Sequence, residues 1–306
     1  MSVRVLVADK VDGVLLDLLR EDGFSVNYLP GISREELISS IGSYEVLVVR
    51  SRTRVDEEVL RSGNLRIVAR AGVGLDNIDL EAAERMGVRV VNTPEAPIES
   101  VAELTIGMMI TAARRVNELN LELRNGRWNK GLGMELSDKT LTLIGLGRIG
   151  RRVAEIAKVL GMRIIAYDVV RVNVAGVELV EDLETALKLA DVVSLHVPLT
   201  DSTRHMINED TLALFKRGAL LVNTSRGAVV DTGAVLRALD EGTLSFYAAD
   251  VLEHEPPETE EEWALIRHPR ALITPHIGSQ TREAQRRVAL MLAERIRNEV
   301  VHARSR

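Results

Sequence analysis

The sequence predicts an α/β protein made of two doubly wound parallel-sheet domains, one inserted into the other. Three observations carry that expectation. Short apolar strand patterns alternate with helical patterns along most of the chain, a spacing that implies right-handed crossovers and parallel sheets. The alternation is interrupted once, by an apolar helical stretch over residues 98–124, and then begins again. A last helical pattern, 281–301, follows the final strand and is expected to pack back on the first domain. The domains so defined are 1–97 with 281–306, and 98–280. With 306 residues the chain is long enough for both. A cleft between two such domains is where a small ligand is expected.

Strand patterns in the first domain cover 3–8, 25–28, 46–49, 66–69 and 88–91, with helical patterns at 11–21, 33–40, 55–62 and 79–86. In 98–124, Ala102, Leu104, Ile106, Met109, Ile110 and Ala113 are too apolar for an exposed helix, so one long helix, buried or at a subunit contact, is expected. A loop containing Arg127, Trp128 and Lys130 follows. Strands of the second domain are expected at 140–144, 163–167, 191–195, 219–223, 245–249 and 271–274. Its first helix, 148–160, shows an apolar face of Ile149, Val153, Ile156, Ala157 and Leu160.

Composition excludes several functions. Apolar residues make up 46% and charged residues 27%, as in a globular protein that lives in water. The formal net charge of −6 argues against nucleic acid or an anionic membrane as partner. There is no cysteine, which removes disulfides, thiolate nucleophiles and cysteine metal sites. The N-terminus enters a strand almost at once, without the layout of a signal peptide, and no apolar run reaches membrane-span length, so the cytoplasm is the expected location. Residues 258–262 read as a short solvated acidic loop. His254 between Glu253 and Glu255 matches no metal-ligand spacing, and no metal is expected.

The most specific motif is Gly145-Leu146-Gly147-Arg148-Ile149-Gly150, placed between a strand and a helix. Gly145 permits the tight turn, Gly147 lets backbone approach a pyrophosphate, and Gly150 lets the helix pack on the strand. The N–H groups of the helix start then face the phosphates. Asp168 ends the next strand, where a carboxylate accepts hydrogen bonds from an adenosine ribose and repels a 2′-phosphate. The expected cofactor is therefore NAD rather than NADP.

Three further segments fall at carboxyl edges of second-domain strands, the ligand side of an open α/β sheet. They are Asn223-Thr224-Ser225-Arg226-Gly227, Asp250-Val251-Leu252-Glu253-His254-Glu255-Pro256-Pro257, and Thr274-Pro275-His276-Ile277-Gly278-Ser279. Arginine, carboxylate and histidine are the parts that hydride transfer to or from an alcohol requires. The histidine moves the hydroxyl proton, a carboxylate fixes its tautomer, and the arginine fork grips a carboxylate or a developing oxyanion. Spacing alone leaves two histidines in contention, His276 and His196, the latter within Ser194-Leu195-His196-Val197-Pro198 at another strand end.

Taken with the glycine motif, these segments resemble the D-isomer-specific 2-hydroxyacid dehydrogenases, over essentially the whole chain. Val68-Ala69-Arg70-Ala71-Gly72-Val73-Gly74-Leu75-Asp76-Asn77-Ile78-Asp79, Asn92-Thr93-Pro94 and Val49-Arg50-Ser51-Arg52-Thr53 are similar to the family's substrate-domain signatures, closest to its phosphoglycerate branch in the short form. The resemblance implies a Rossmann NAD-binding domain inserted into a flavodoxin-like substrate domain. It implies Arg226, Glu255 and His276 as the catalytic three, with Glu255 rather than Glu253 preceding the proline pair. Thr224, Ser225, Asp250 and the stretch His276, Gly278 and Ser279 would line the nicotinamide side, and Arg148, Ile149 and Asp168 would hold the rest of NAD. Val73, Val197 and Pro198 fall at further cofactor positions. Val73 stands where the phosphoglycerate branch often has threonine, and Val197 likewise lacks a hydroxyl.

For the substrate, backbone N–H groups of Gly72, Val73 and Gly74 on a turn after a strand suit a carboxylate, and Asn77 adds a side-chain contact. Arg50, Arg52 and Arg70 follow strand ends, and cations gathered on an acidic protein fit a substrate with a phosphate besides its carboxylate. The expectation is a small, phosphorylated 2-hydroxy acid bound by a homodimer or homotetramer. An unphosphorylated 2-oxo acid is the first rival and an NAD-sensing co-repressor the second. The chain ends soon after its last helix, so a C-terminal regulatory domain is not expected.

Overall fold

The computed structural model describes residues 2–304, and side chains as far as residue 301. It divides into two compact units: residues up to Pro97 together with those from Ser279, and Ile98–Gly278.

The first unit runs β1 (Arg4–Val7), α1 (Gly13–Glu21), β2 (Ser25–Tyr28), α2 (Arg34–Ser40), β3 (Val46–Val49), α3 (Glu57–Arg61), β4 (Ile67–Arg70), α4 (Leu80–Arg85) and β5 (Arg89–Val91). Each helix starts where a side chain accepts a backbone N–H of its first turn: Asp12, Ser33, Asp56 and Asp79 are the caps. The strands pair in parallel in the order β2-β1-β3-β4-β5. Successive strand residues face opposite sides. Val5, Val7, Val46 and Val48 therefore join one core with Leu15 and Leu19 of α1, while Leu6, Leu47 and Val49 join another with Leu37, Val59 and Ala82. The direction of strand addition reverses between β1 and β3, and such a point is where open sheets bind ligands.

The second unit begins with α5 (Ile98–Ala113) and α6 (Val116–Arg124). It continues through β6 (Thr140–Ile144), α7 (Arg148–Val159), β7 (Arg163–Tyr167), β8 (Glu178–Leu179), α8 (Leu183–Leu189), β9 (Val192–Leu195), α9 (Glu209–Leu212) and β10 (Ala219–Asn223). It closes with α10 (Thr232–Glu241), β11 (Leu244–Ala249), α11 (Glu260–Arg267) and β12 (Ala271–Ile273). Seven parallel strands lie in the order β12-β11-β10-β9-β6-β7-β8, reversing between β6 and β9. The last helix, α12 (Arg282–Arg304), belongs to the first unit, where Val288, Leu292 and Ile296 complete the core of α1.

Three sequence expectations are corrected. The single helix over 98–124 is two helices, broken at Arg115, whose backbone is left-handed with φ 52°. The Arg115 guanidinium, paired with both carboxylate oxygens of Glu118 at 2.9 and 2.6 Å, holds the break. β8 was not expected; its two residues are exposed and carry no strand pattern. The acidic stretch 258–262 is exposed as expected through residue 261 but is not all loop. It starts α11, and Glu262 is 1% exposed.

Candidate active site

The glycine motif occupies the turn from β6 into α7, at the strand reversal. Gly145 has φ 97°, and a Cβ there would stand 2.5 Å from the His196 carbonyl oxygen. A Cβ on Gly150 would stand 2.3 Å from the Gly145 carbonyl oxygen. Both positions are closed to any side chain. Gly147 differs, since nothing lies within 4 Å of where its Cβ would be. It also caps α7 without a side-chain hydrogen bond, and no acidic residue occupies the helix's first turn. An open, uncapped helix start that carries Arg148 and Arg151 and no acid suits the pyrophosphate of a dinucleotide. Ile149 is half-buried against the core beneath, and Arg148 is exposed. Asp168 follows β7. Its Oδ2 accepts the Leu146 N–H at 2.6 Å and its Oδ1 the Val170 N–H at 2.8 Å, so the carboxylate fastens the glycine turn and each oxygen retains capacity for a further hydrogen bond. Arg171 pairs instead with Glu181.

The three chemical groups issue from the carboxyl ends of neighbouring strands β10, β11 and β12. His276 Nδ1 lies 2.7 Å from Glu255 Oε2, with both side chains about 40% exposed. Glu255 Oε1 accepts the Leu252 N–H at 3.2 Å, so each carboxylate oxygen has an assigned donor. His276 itself has φ 52°, a left-handed conformation uncommon outside glycine that needs restraint to be held in one place. The restraint is Asp250, which is 2% exposed. Its carbonyl accepts the His276 N–H at 2.9 Å. Its carboxylate accepts the Thr274 hydroxyl at 2.5 Å, the Ile277 N–H at 2.8 Å and the Gly278 N–H at 2.7 Å. The sequence pointed to Asp250 as a cofactor contact; in the structure its carboxylate clamps the histidine loop.

Arg226 lies in a turn built around buried Asn223. The Asn223 amide donates to the Arg226 carbonyl at 2.9 Å and accepts the Ser225 N–H and hydroxyl at 3.0 and 2.8 Å. The Thr224 hydroxyl meets that of Thr105 at 2.9 Å. Gly227 sits against the next loop so closely that a Cβ would fall 1.9 Å from the Leu252 carbonyl carbon. The arginine turn and the loop of Glu255 are thus in backbone contact.

His196 lies in a different environment from His276. Its ring meets Ser194 Oγ at 3.0 Å, and desolvation pulls its pKa down to about 4, so it is neutral at physiological pH. Val197 packs on the core, Pro198 offers its carbonyl to Thr203, and Ser279 offers its own to Gln285. Glu253 pairs with Arg204 and His205, away from the dyad.

In the first unit, the reversal point is organised by a residue the sequence reading missed. Asp9, 2% exposed, accepts the Arg50 N–H at 2.6 Å, the Arg52 Nε at 2.8 Å and the Thr53 hydroxyl at 2.9 Å. Arg52 also donates to the carbonyls of Ala8 and Ile32, so its fork is engaged within the fold. Asn77 fastens the same loop through the carbonyls of Arg50 and Thr53. The Arg50 guanidinium makes one long contact with the Lys10 carbonyl, and burial lowers its pKa against the opposing pull of Asp9. Gly72 donates to the Arg70 carbonyl, whereas the N–H groups of Val73 and Gly74 have no partner among the described residues.

Comparison with known proteins decides the family. Residues 106–278 match the family model described as D-isomer specific 2-hydroxyacid dehydrogenase, NAD binding domain. The chain belongs to the D-isomer-specific 2-hydroxyacid dehydrogenase family. NAD is the cofactor of the matched domain. The chain is 43% identical to a hydroxypyruvate reductase of Thermotoga maritima, covering 97% of this chain and 98% of that protein. It is equally 43% identical to a D-3-phosphoglycerate dehydrogenase of Methanocaldococcus jannaschii, covering 96% of this chain but 57% of the relative. The chain therefore spans little more than half of that relative's length. A solved D-lactate dehydrogenase of Aquifex aeolicus, complexed with NAD and lactic acid, aligns with a TM-score of 0.88 at 29% identity, over 98% of this chain and 96% of that one. Among the described residues no helix is long and apolar enough to cross a membrane.

Proposed function

We propose that this chain oxidises D-3-phosphoglycerate to 3-phosphohydroxypyruvate with NAD, the entry to serine synthesis, with Arg226, Glu255 and His276 as its catalytic residues. The observation that carries the chemistry is the 2.7 Å contact between His276 Nδ1 and Glu255 Oε2. With Nδ1–H donating to the carboxylate, Nε2 holds the lone pair and takes the proton of the substrate hydroxyl. Glu255 then faces the imidazolium and steadies its charge. Arg226 binds the substrate carboxylate and the carbonyl oxygen as it forms. Asp168 holds the adenosine ribose. NAD, when bound, supplies the hydride acceptor.

Arg50 is the cation that supports a phosphorylated substrate in this reading, because Arg52 is committed to Asp9. That commitment also favours a second reading, hydroxypyruvate or glyoxylate reduction, which uses the same catalytic residues without a phosphate grip. The reading puts the enzyme in the cytoplasm as a dimer through the α5–α6 face, where Ile110, Val116, Leu123 and Trp128 expose apolar surface; light scattering that finds only monomer at micromolar concentration refutes the dimer.

The deciding experiment follows NADH absorbance with D-3-phosphoglycerate, D-glycerate, 3-phosphohydroxypyruvate, hydroxypyruvate and glyoxylate. Preference for the phosphorylated pair, with Arg50→Ala raising KM for it selectively, supports the first reading. Equal use of the unphosphorylated acids supports the second. His276→Asn, which tolerates the left-handed backbone, should lower kcat on the order of a hundredfold or more and leave NADH binding unchanged. Turnover at the parent level would refute the role of His276, and the lack of any turnover by the parent would revive the co-repressor alternative.

A further inference from the structure

The carboxylate of the dyad rides on residues 250–259, a stretch between β11 and α11 without regular secondary structure. A second carboxylate, buried and away from the reacting groups, ties that stretch down. Glu262 Oε1 accepts the His254 N–H at 2.8 Å and faces the His254 Nδ1 at 3.2 Å. Its Oε2 accepts the Glu258 N–H at 2.9 Å, the Thr259 N–H at 3.0 Å and the Thr259 hydroxyl at 3.2 Å. The donors bracket Glu255 in sequence: one residue before it, and three and four after. The cap of α11 accounts for Thr259 alone. The bonds to His254 and Glu258 are additional, and the chemistry proposed above makes no use of them.

We propose that Glu262 is a positioning residue for the dehydrogenase chemistry, fixing the backbone on both sides of Glu255 and so setting the oxygen that holds His276. The inference rests on the dyad reading given above. Its physical basis is the donor count. A glutamine at 262 replaces one acceptor oxygen with an NH2 group that confronts backbone N–H donors, leaving buried donors unpaired. The loop then moves to recover its hydrogen bonds, and Glu255 moves with it. Displacement of a supporting group by about 1 Å is enough to cost up to a hundredfold in rate.

The test compares Glu262→Gln, Glu255→Gln and the double variant in the full chain. The first readout needs no cofactor: the downfield proton resonance of the His276 Nδ1–H, followed in protein labelled with 15N-histidine. The second is the NADH dissociation constant by fluorescence. The third is kcat and KM for reduction of hydroxypyruvate and of 3-phosphohydroxypyruvate. The expected result for Glu262→Gln is a resonance broadened or lost and kcat down roughly tenfold, with NADH affinity and KM within about twofold. The double variant should be no slower than Glu255→Gln alone, because the two act through one contact. A parent-like resonance and kcat in Glu262→Gln overturns the proposal, and so do losses that multiply in the double variant. If Glu255→Gln itself is parent-like, the dyad reading fails instead. Should Glu262→Gln not fold, Glu262→Asp keeps the charge and both acceptor oxygens but draws them back from the His254 and Glu258 N–H groups; an unmoved resonance there overturns the proposal, and a broadened one supports it.

Discussion

Replacing Glu262 with glutamine should destabilise the second unit at neutral pH, by an amount that shrinks on acidification. Burial raises the proton affinity of this carboxyl, but its hydrogen bonds from His254, Glu258 and Thr259 outweigh burial and pull the pKa from 4.5 to about 2. Each tenfold change in proton affinity is worth about 1.4 kcal/mol, so the folded state gains about 3 kcal/mol from keeping the group ionised. Glu262 is 1% exposed but lies close to the surface, where screening trims the gain, so about 3 kcal/mol is its upper bound. The gain is complete above about pH 5.5, where the unfolded chain is ionised too. It declines as pH falls below 4.5, to about 1.5 kcal/mol at pH 3, and is gone below 2. Trp263 adjoins Glu262 in α11, and Trp128→Phe would leave it as the sole tryptophan. Urea unfolding read by its fluorescence in that background should show the Glu262→Gln midpoint lowered by roughly 1 M or more at pH 7. The gap to the parent should halve at pH 3. A gap below about 1 kcal/mol at pH 7, or one that does not change with pH, would show that the bonds around Glu262 are not what holds it ionised.

Three other outcomes follow from the geometry. Gly227→Ala puts a methyl 1.9 Å from the Leu252 carbonyl carbon, so the arginine turn and the Glu255 loop must part; kcat should fall by about ten- to a hundredfold with NADH affinity nearly kept, and stopped-flow kinetics at the parent rate would contradict the contact. Asp168→Ser removes the charge that repels a 2′-phosphate, so the kcat/KM ratio for NADPH over NADH should rise by about tenfold or more, while weakened support of the Leu146 N–H lowers NAD affinity. His196 is neutral when folded and titrates near 6.5 when unfolded, so the parent should lose about 2.5 kcal/mol as pH falls from 6.5 to 4. His196→Gln should flatten that part of the stability curve without moving the pH profile of kcat. A profile that moves would return His196 to the chemistry.

Much of this architecture was legible because its signals are local. Every strand except β8 shows in the sequence within a residue or so of its observed ends, since most of them are buried on both faces and leave no polar alternation to confuse the pattern. The glycine motif was legible because steric closure at Gly145 and Gly150 leaves no other residue possible. What escaped was contact between segments distant in sequence. Nothing near Asp9 announces that it will collect Arg50, Arg52 and Thr53 from forty residues away. Glu262 could have been read from its spacing to Thr259, a capping box, but its neighbours Glu258, Glu260 and Glu261 made the stretch look uniformly solvated. The break at Arg115 was hidden because apolar periodicity continues on both sides of it, although every residue of α6 is outside the core.

The first unit is assembled from both ends of the chain, and that has a consequence for biosynthesis. Until α12 leaves the ribosome, the sheet face of Val5, Val7, Val46 and Val48 lacks the helix that contributes Val288, Leu292 and Ile296. The second unit is contiguous in sequence and has no such wait. Begun first, the N-terminal sheet is finished last, with that apolar face covered by α1 alone while some two hundred residues are translated. That interval is when a nascent chain of this design most needs a chaperone.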